Sequence, residues 1–238
     1  MKYVFLFFIA FCPAIFYMLY IIAFDHRKPE PTKALVLSAL LGIVTAVAVA
    51  LCIDVGSVHI ENGYGFKESL AFGFIKLALP SEITRWLVLC VFLSLNRFYD
   101  EYIDGIVYSV CLSMGYAGIF CAWFLTSYID ESFATLLEIS AITVFVLIPI
   151  YFISGTIMGY YLALARKRKK ILNHALALFL SILINGILSS IVLMIGSHWE
   201  YYFVVGMVFT ILAMRVYTQI FRLLELDGTN TEGTNVGK

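Results

Sequence analysis

Long apolar segments separated by short charged connections dominate this sequence and limit what it can fold into. A membrane-spanning helix needs about 20 mostly apolar residues. Seven segments are this long, at residues 3–24, 34–53, 66–96, 103–126, 134–164, 171–196 and 199–223. The chain is 62% hydrophobic and only 13% charged, whereas a soluble domain is about 25% charged. The pattern predicts an all-α, polytopic transmembrane bundle of about seven spans, forming a single domain over residues 1–225.

The distribution of Lys and Arg predicts how this bundle is oriented, because cytoplasmic connections carry an excess of these residues. The second, fourth and sixth connections contain neither. The first, third and fifth connections do: Arg27, Lys28 and Lys33, then Arg97, then the basic run 166–170. We therefore expect an N-terminus outside the cell membrane and a cytoplasmic C-terminus. Residues 226–238 are polar and rich in Gly, Thr and Asn, which predicts a disordered cytoplasmic tail.

Two oppositely charged residues, Glu82 and Arg85, lie well inside the third apolar segment. Ionisable groups within a span are costly and usually mark function. A spacing of three residues puts the two side chains on one helix face, where they can pair. Pro80 just before them indicates a local helix start or kink. Two interpretations stay open, a structural ion pair that neutralises itself and a functional pair.

Other polar or small residues have a simpler first interpretation. The acidic stretch at residues 100–104 precedes the fourth span, and acidic residues there favour the start of a helix. Asn185, near the centre of the sixth span, is typical of hydrogen bonding between membrane helices. Gly155 and Gly159 form a GxxxG pattern that lets two helices approach closely. A net charge of zero gives no indication of nucleic-acid binding.

The order of these motifs resembles the PrsW family of intramembrane proteases, part of the group that includes the CAAX prenyl proteases. Family members carry a Glu-Glu-x-x-Lys motif, then an Asp-Gly-Ile-Val-Tyr-like run, and later two histidines. The resemblance extends over about residues 66–190. Its matching runs are Ser81-Glu82-Ile83-Thr84-Arg85, Asp104-Gly105-Ile106-Val107-Tyr108, Gly115-Tyr116-Ala117, Ile157-Met158-Gly159-Tyr160-Tyr161 and Asn185-Gly186.

Departures from the family pattern fall on the residues that carry its chemistry. Ser81 stands at the first glutamate and Arg85 at the lysine, while Glu82 matches the second glutamate. Phe120-Cys121 stands where the family has Glu-Asn, and Tyr151 and Asn185 stand at the two histidine positions. A zinc site built from these positions would have one carboxylate, one amide and no imidazole, which is a poor ligand set. We therefore expect no metal cofactor.

The resemblance and its departures imply two main functions and leave enzymatic activity open. The first is a catalytically degraded homologue that binds membrane segments of single-span partner proteins in the former substrate groove. That groove would be lined by Glu82, Arg85, Asp104, Tyr151 and Asn185. The alternative is an active, divergent endopeptidase that cleaves membrane-bound substrates with Glu82, and Asp104 as a second candidate. A transporter or channel subunit is less favoured, because no inverted repeat is visible.

Overall fold

Seven helices account for nearly all of the chain in the computed structural model, which describes residues 2–24, 30–52, 64–99, 101–195 and 199–233. Within these ranges there is no strand. The helices are α1 (Lys2–Phe24), α2 (Thr32–Cys52), α3 (Phe66–Leu95), α4 (Tyr102–Thr126), α5 (Phe133–Arg168), α6 (Ile171–Ile195) and α7 (Trp199–Gly233). The all-α, polytopic class predicted from the sequence is confirmed.

Six helices, α1 to α6, are long and apolar enough to cross a membrane. The described apolar stretch of α7, Val204–Ile220, is shorter, so the seventh span rests on the sequence pattern. Helix α7 continues to Gly233, whereas the sequence places the start of a polar tail at residue 226. Residues 234–238 lie outside the described part of the chain. The domain boundary and the orientation of the termini stay predictions.

Helix α4 forms the centre of the bundle. It packs against α1, α2 and α5. Of an apolar 18-residue stretch of α4, 89% is buried, compared with 28% of the equivalent stretch of α1. Small residues allow α4 to approach its neighbours closely, since Gly115 faces the backbone carbonyl of Ala39 on α2. The Ser38 hydroxyl on α2 also donates a hydrogen bond to the carbonyl oxygen of Tyr108 on α4, at 2.7 Å. The two backbones are therefore close enough for side chain to backbone hydrogen bonding.

The GxxxG pair on α5 makes the contact with α4. A Cβ atom added at Gly155 would lie 2.3 Å from the Ser113 hydroxyl, and one at Gly159 would lie 2.7 Å from the carbonyl oxygen of Gly105. Ser109 donates a hydrogen bond across the same interface to the carbonyl oxygen of Gly155, at 2.7 Å. This close approach brings polar side chains of α4 and α5 to the same level along the helix bundle.

Two widened, π-helical turns interrupt the long helices α3 and α5, over Phe72–Ala78 and Thr143–Leu147. Each lies just before a proline, Pro80 in α3 and Pro149 in α5. Proline lacks an N–H group, and its ring clashes with the carbonyl four residues earlier. Extra backbone in the preceding turn accommodates this defect. Both helices continue past their prolines, which explains how segments longer than a bilayer needs remain single helices.

Replacing Gly115 with Val should destabilise the bundle, because a Cβ there would lie 2.1 Å from the carbonyl oxygen of Ala39. Overpacking of this kind costs about 1–3 kcal/mol or more. Thermal unfolding in detergent, followed by loss of the monodisperse gel-filtration peak, measures the effect. Gly65→Val is the matched control, since the nearest atom to a Cβ there is 3.8 Å away. Equal unfolding temperatures for the two variants would contradict the close α2–α4 contact.

Candidate functional site

An ion pair between Glu82 and Arg85 forms the centre of a polar cluster inside the bundle. Both side chains are completely buried, and both lie on α3 within two turns of Pro80. Their spacing of three residues places them on one face of the helix, as the sequence indicates. A charge inside a membrane helix must be neutralised or hydrogen-bonded. The surrounding helices therefore have to supply partners.

Arg85 draws its other partners from α4 and α5. Its guanidinium donates to the Ser113 hydroxyl at 2.7 Å and to the Ser154 hydroxyl at 3.0 Å. The rings of Tyr116 and Tyr151 lie 5.4 and 5.1 Å from the guanidinium carbon, within the range of a cation–π interaction. The arginine thus connects α3 to both central helices and is enclosed by aromatic rings.

Asn185 connects the same ion pair to α6. Its amide nitrogen donates to Glu82 Oε1 at 2.6 Å, and its carbonyl oxygen accepts from the Ser189 hydroxyl at 3.0 Å. These two partners together fix which end of the amide faces the carboxylate. Asn185 is fully buried. It acts here as a bond between helices, which agrees with the simplest interpretation of a lone asparagine in a span.

Two polar atoms of the ion pair are buried and lack a hydrogen-bond partner within the described residues, Glu82 Oε2 and Arg85 Nε. An unpaired buried polar atom usually costs about 1–3 kcal/mol. The other polar atoms of the pair are satisfied by the surrounding side chains, and these two retain the capacity to bind a further polar group. A water molecule or a backbone amide would supply the proton that Glu82 Oε2 can accept.

The remaining motif positions divide into those beside the cluster and one away from it. Ser81 is buried next to Glu82, and its hydroxyl donates to the carbonyl oxygen of Leu77 at 2.6 Å.

The Phe120 ring packs against Tyr151 at 5.7 Å between centroids, and Cys121 is fully buried beside it on α4. Five predicted positions therefore converge, with Phe120 behind them: Ser81, Glu82, Arg85, Tyr151 and Asn185.

Asp104 takes a different role, at the beginning of α4. Its side chain accepts a hydrogen bond from the backbone N–H of Glu101 at 2.7 Å, and the two residues form a capping box. Nine residues separate Asp104 from Ser113, which corresponds to about 13–14 Å along a helix. Asp104 therefore lies well away from the Arg85 guanidinium. The geometry matches the helix-capping interpretation of the acidic stretch.

Three serines hold the cluster together and have no counterpart in the sequence prediction: Ser113, Ser154 and Ser189. A serine in an apolar segment carries little signal, because its hydroxyl can bond to its own helix backbone. A sequence pattern does indicate Ser189. It recurs with Ser181 and Asn185 every four residues, so the three form a polar stripe on α6.

Comparison with known proteins identifies the relatives of this chain. The family model described as PrsW family intramembrane metalloprotease matches residues 30–217. Protease PrsW of Clostridioides difficile (strain 630) is 27% identical over 198 residues, covering 82% of this chain and 81% of the relative. Protease PrsW of Bacillus subtilis (strain 168) is 27% identical over 203 residues, covering 83% and 86% respectively. No solved structure gives a significant match. This multi-pass membrane protein therefore belongs to the PrsW family of intramembrane proteases.

Proposed function

We propose that this chain is a PrsW-family protein that has lost proteolysis and binds membrane segments of partner proteins. The observation that carries the proposal is how Glu82 is hydrogen-bonded and buried. Its Oε1 atom accepts hydrogen bonds from Arg85 and Asn185, and the whole side chain is shielded from solvent. A general base needs an accessible, positioned oxygen beside the water it activates. Here one of the two carboxylate oxygens is committed to neutralising an arginine.

The donors around Glu82 also fit a catalytic metal poorly, although the matched family is described as metalloproteases. Catalytic zinc is bound by three protein ligands from His, Cys, Asp or Glu. The cluster offers one carboxylate, the Asn185 amide and serine and tyrosine hydroxyls, and the Arg85 guanidinium already binds one oxygen of that carboxylate. Within the described ranges no group of three His, Cys, Asp or Glu side chains is close enough to hold a metal ion. This donor set therefore gives no support to a metal-assisted hydrolysis.

Retained binding of membrane segments follows from family membership rather than from the cluster itself. Relatives over more than four fifths of the chain are named as proteases, and a protease must accommodate a polypeptide. The shape of a groove depends on the packing of the whole helix bundle, so we extend binding to this chain by analogy with the family fold. Single-span membrane proteins are the partners that suit a fold enclosed by lipid.

One observation favours the alternative, an active endopeptidase. Glu82 Oε2 lacks a partner within the described residues, and so it retains the capacity to accept a proton from a water molecule. If helix movement admitted water, this oxygen would be the base. Asp104 is too far along α4 to assist at the same atom. The alternative therefore depends on Glu82 alone.

Cleavage by the purified protein decides between the two functions. We expect the wild type and the Glu82→Gln variant to leave a defined library of single-span substrates intact in nanodiscs, as measured by mass spectrometry. Protease PrsW of Bacillus subtilis, treated identically, tests whether the library contains cleavable segments. Products formed by the wild type but not by Glu82→Gln would establish the active endopeptidase. If the wild type retains no library segment more strongly than it retains an apolar helix of scrambled sequence, the binding role is overturned.

A double-mutant cycle on stability tests whether the ion pair is structural. Arg85→Met leaves a buried carboxylate without its cation, which typically costs about 3–5 kcal/mol. Replacing both members, as Glu82→Gln with Arg85→Met, removes the unpaired charge and should cost less than Arg85→Met alone. Unfolding free energies in mixed micelles measure all three variants against the wild type. If the double variant is less stable than Arg85→Met, Glu82 and Arg85 do not stabilise the fold as a pair.

A further inference from the structure

A groove open to the bilayer runs between α2 and α3 and is separate from the polar cluster. Its volume is about 670 Å³, which is within the usual range for small-ligand sites. Leu37 and Leu41 line it from α2, and Leu87, Val91 and Leu95 line it from α3. On both helices these positions recur every four residues, so each helix contributes one continuous apolar strip.

The groove is as long as one leaflet of a membrane. From Lys33 to Leu41 on α2 is eight residues, and from Leu87 to Leu95 on α3 is also eight, which is about 12 Å along each helix. Half of the hydrocarbon core of a bilayer is about 15 Å thick. The groove therefore begins at one end of α2 and stops near the middle of that helix, at Leu41, a length that suits an acyl chain.

Two cations lie at the open end of the groove. Lys33 at the start of α2 and Arg97 just after α3 both contribute to its lining and are exposed. Neither forms an ion pair with another residue in the described ranges. Glu30, three residues before Lys33, accepts a hydrogen bond from the Tyr108 hydroxyl. An apolar groove with a cationic mouth at the membrane surface complements a lipid with an anionic head group.

We infer that this groove binds one anionic phospholipid, with an acyl chain along the α2 and α3 strips and the phosphate between Lys33 and Arg97. A membrane-spanning helix suits it less well. Such a helix is about 10 Å wide and crosses the full 30 Å of hydrocarbon, whereas the groove extends over one leaflet. The site does not include Glu82, so the inference holds whether or not the protein cleaves substrates.

Native mass spectrometry of the purified full chain tests the inference. The protein in detergent is offered equal amounts of phosphatidylglycerol and phosphatidylcholine, and the retained lipid is quantified. We expect the wild type to retain phosphatidylglycerol preferentially. The double variant Lys33→Gln/Arg97→Gln should reduce that preference about 30-fold, because each surface cation contributes to the attraction. Val91→Trp, which fills the groove, should reduce retention of both lipids.

A matched control separates a specific site from general attraction to the basic surface. Arg168→Gln/Lys170→Gln removes the same number of charges from the same side of the bundle, at the junction of α5 and α6, and should keep the preference. Equal losses in the two double variants would overturn the inference, because they would show nonspecific attraction only. Unchanged retention in Val91→Trp, with the gel-filtration profile of the wild type, would also overturn it. So would a single-span helix that crosslinks to position 91 and displaces the lipid.

Discussion

The burial of one positive charge inside a membrane protein is the constraint on which the interior of this bundle depends. A guanidinium buried among apolar side chains needs an opposite charge and hydrogen-bond acceptors, and the protein has to supply both. Glu82 supplies the opposite charge from the same helix, and hydroxyls of Ser113 and Ser154 accept further hydrogen bonds. Asn185 then shares the carboxylate from α6. Four helices, α3 to α6, are thus bound to one another through a single ion pair.

That network requires helices that approach closely, and the glycines of α4 and α5 provide the approach. Lipid offers little hydrophobic driving force between helices, so packing and hydrogen bonds hold them together. Gly155 and Gly159 bring α5 against α4, which places Ser113 and Ser154 within reach of the same guanidinium. A side chain at either glycine would meet atoms of α4 and push the two helices apart. The apolar contacts and the polar cluster are therefore one structural unit.

The sequence predicts the fold more completely than the site, for physical reasons. Hydropathy reports burial in lipid directly, and the predicted fourth span, 103–126, differs from α4 by one residue at its start. The Glu82–Arg85 pair follows from helix periodicity. Convergence of Ser113 and Ser154 on Arg85 depends on how α4 and α5 pack, which periodicity does not report. The resemblance placed Asp104 in the groove, whereas local chemistry favoured a helix cap, and the structure shows the cap.

The residues at the family's motif positions are matched to the ion pair that they surround. A carboxylate buried in a membrane interior needs a metal, a proton or a counter-ion, and a buried imidazole needs hydrogen-bond partners. Asn185 instead is neutral and satisfies its amide with Glu82 and Ser189, and Tyr151 places a ring face on Arg85. Each replacement therefore finds its partner within the protein. Within the described residues, the buried polar atoms of the cluster that lack a partner are Glu82 Oε2, Arg85 Nε and the Tyr116 hydroxyl. These three atoms retain the capacity to bind a further polar group, because the other polar atoms of the ion pair already have partners inside the protein.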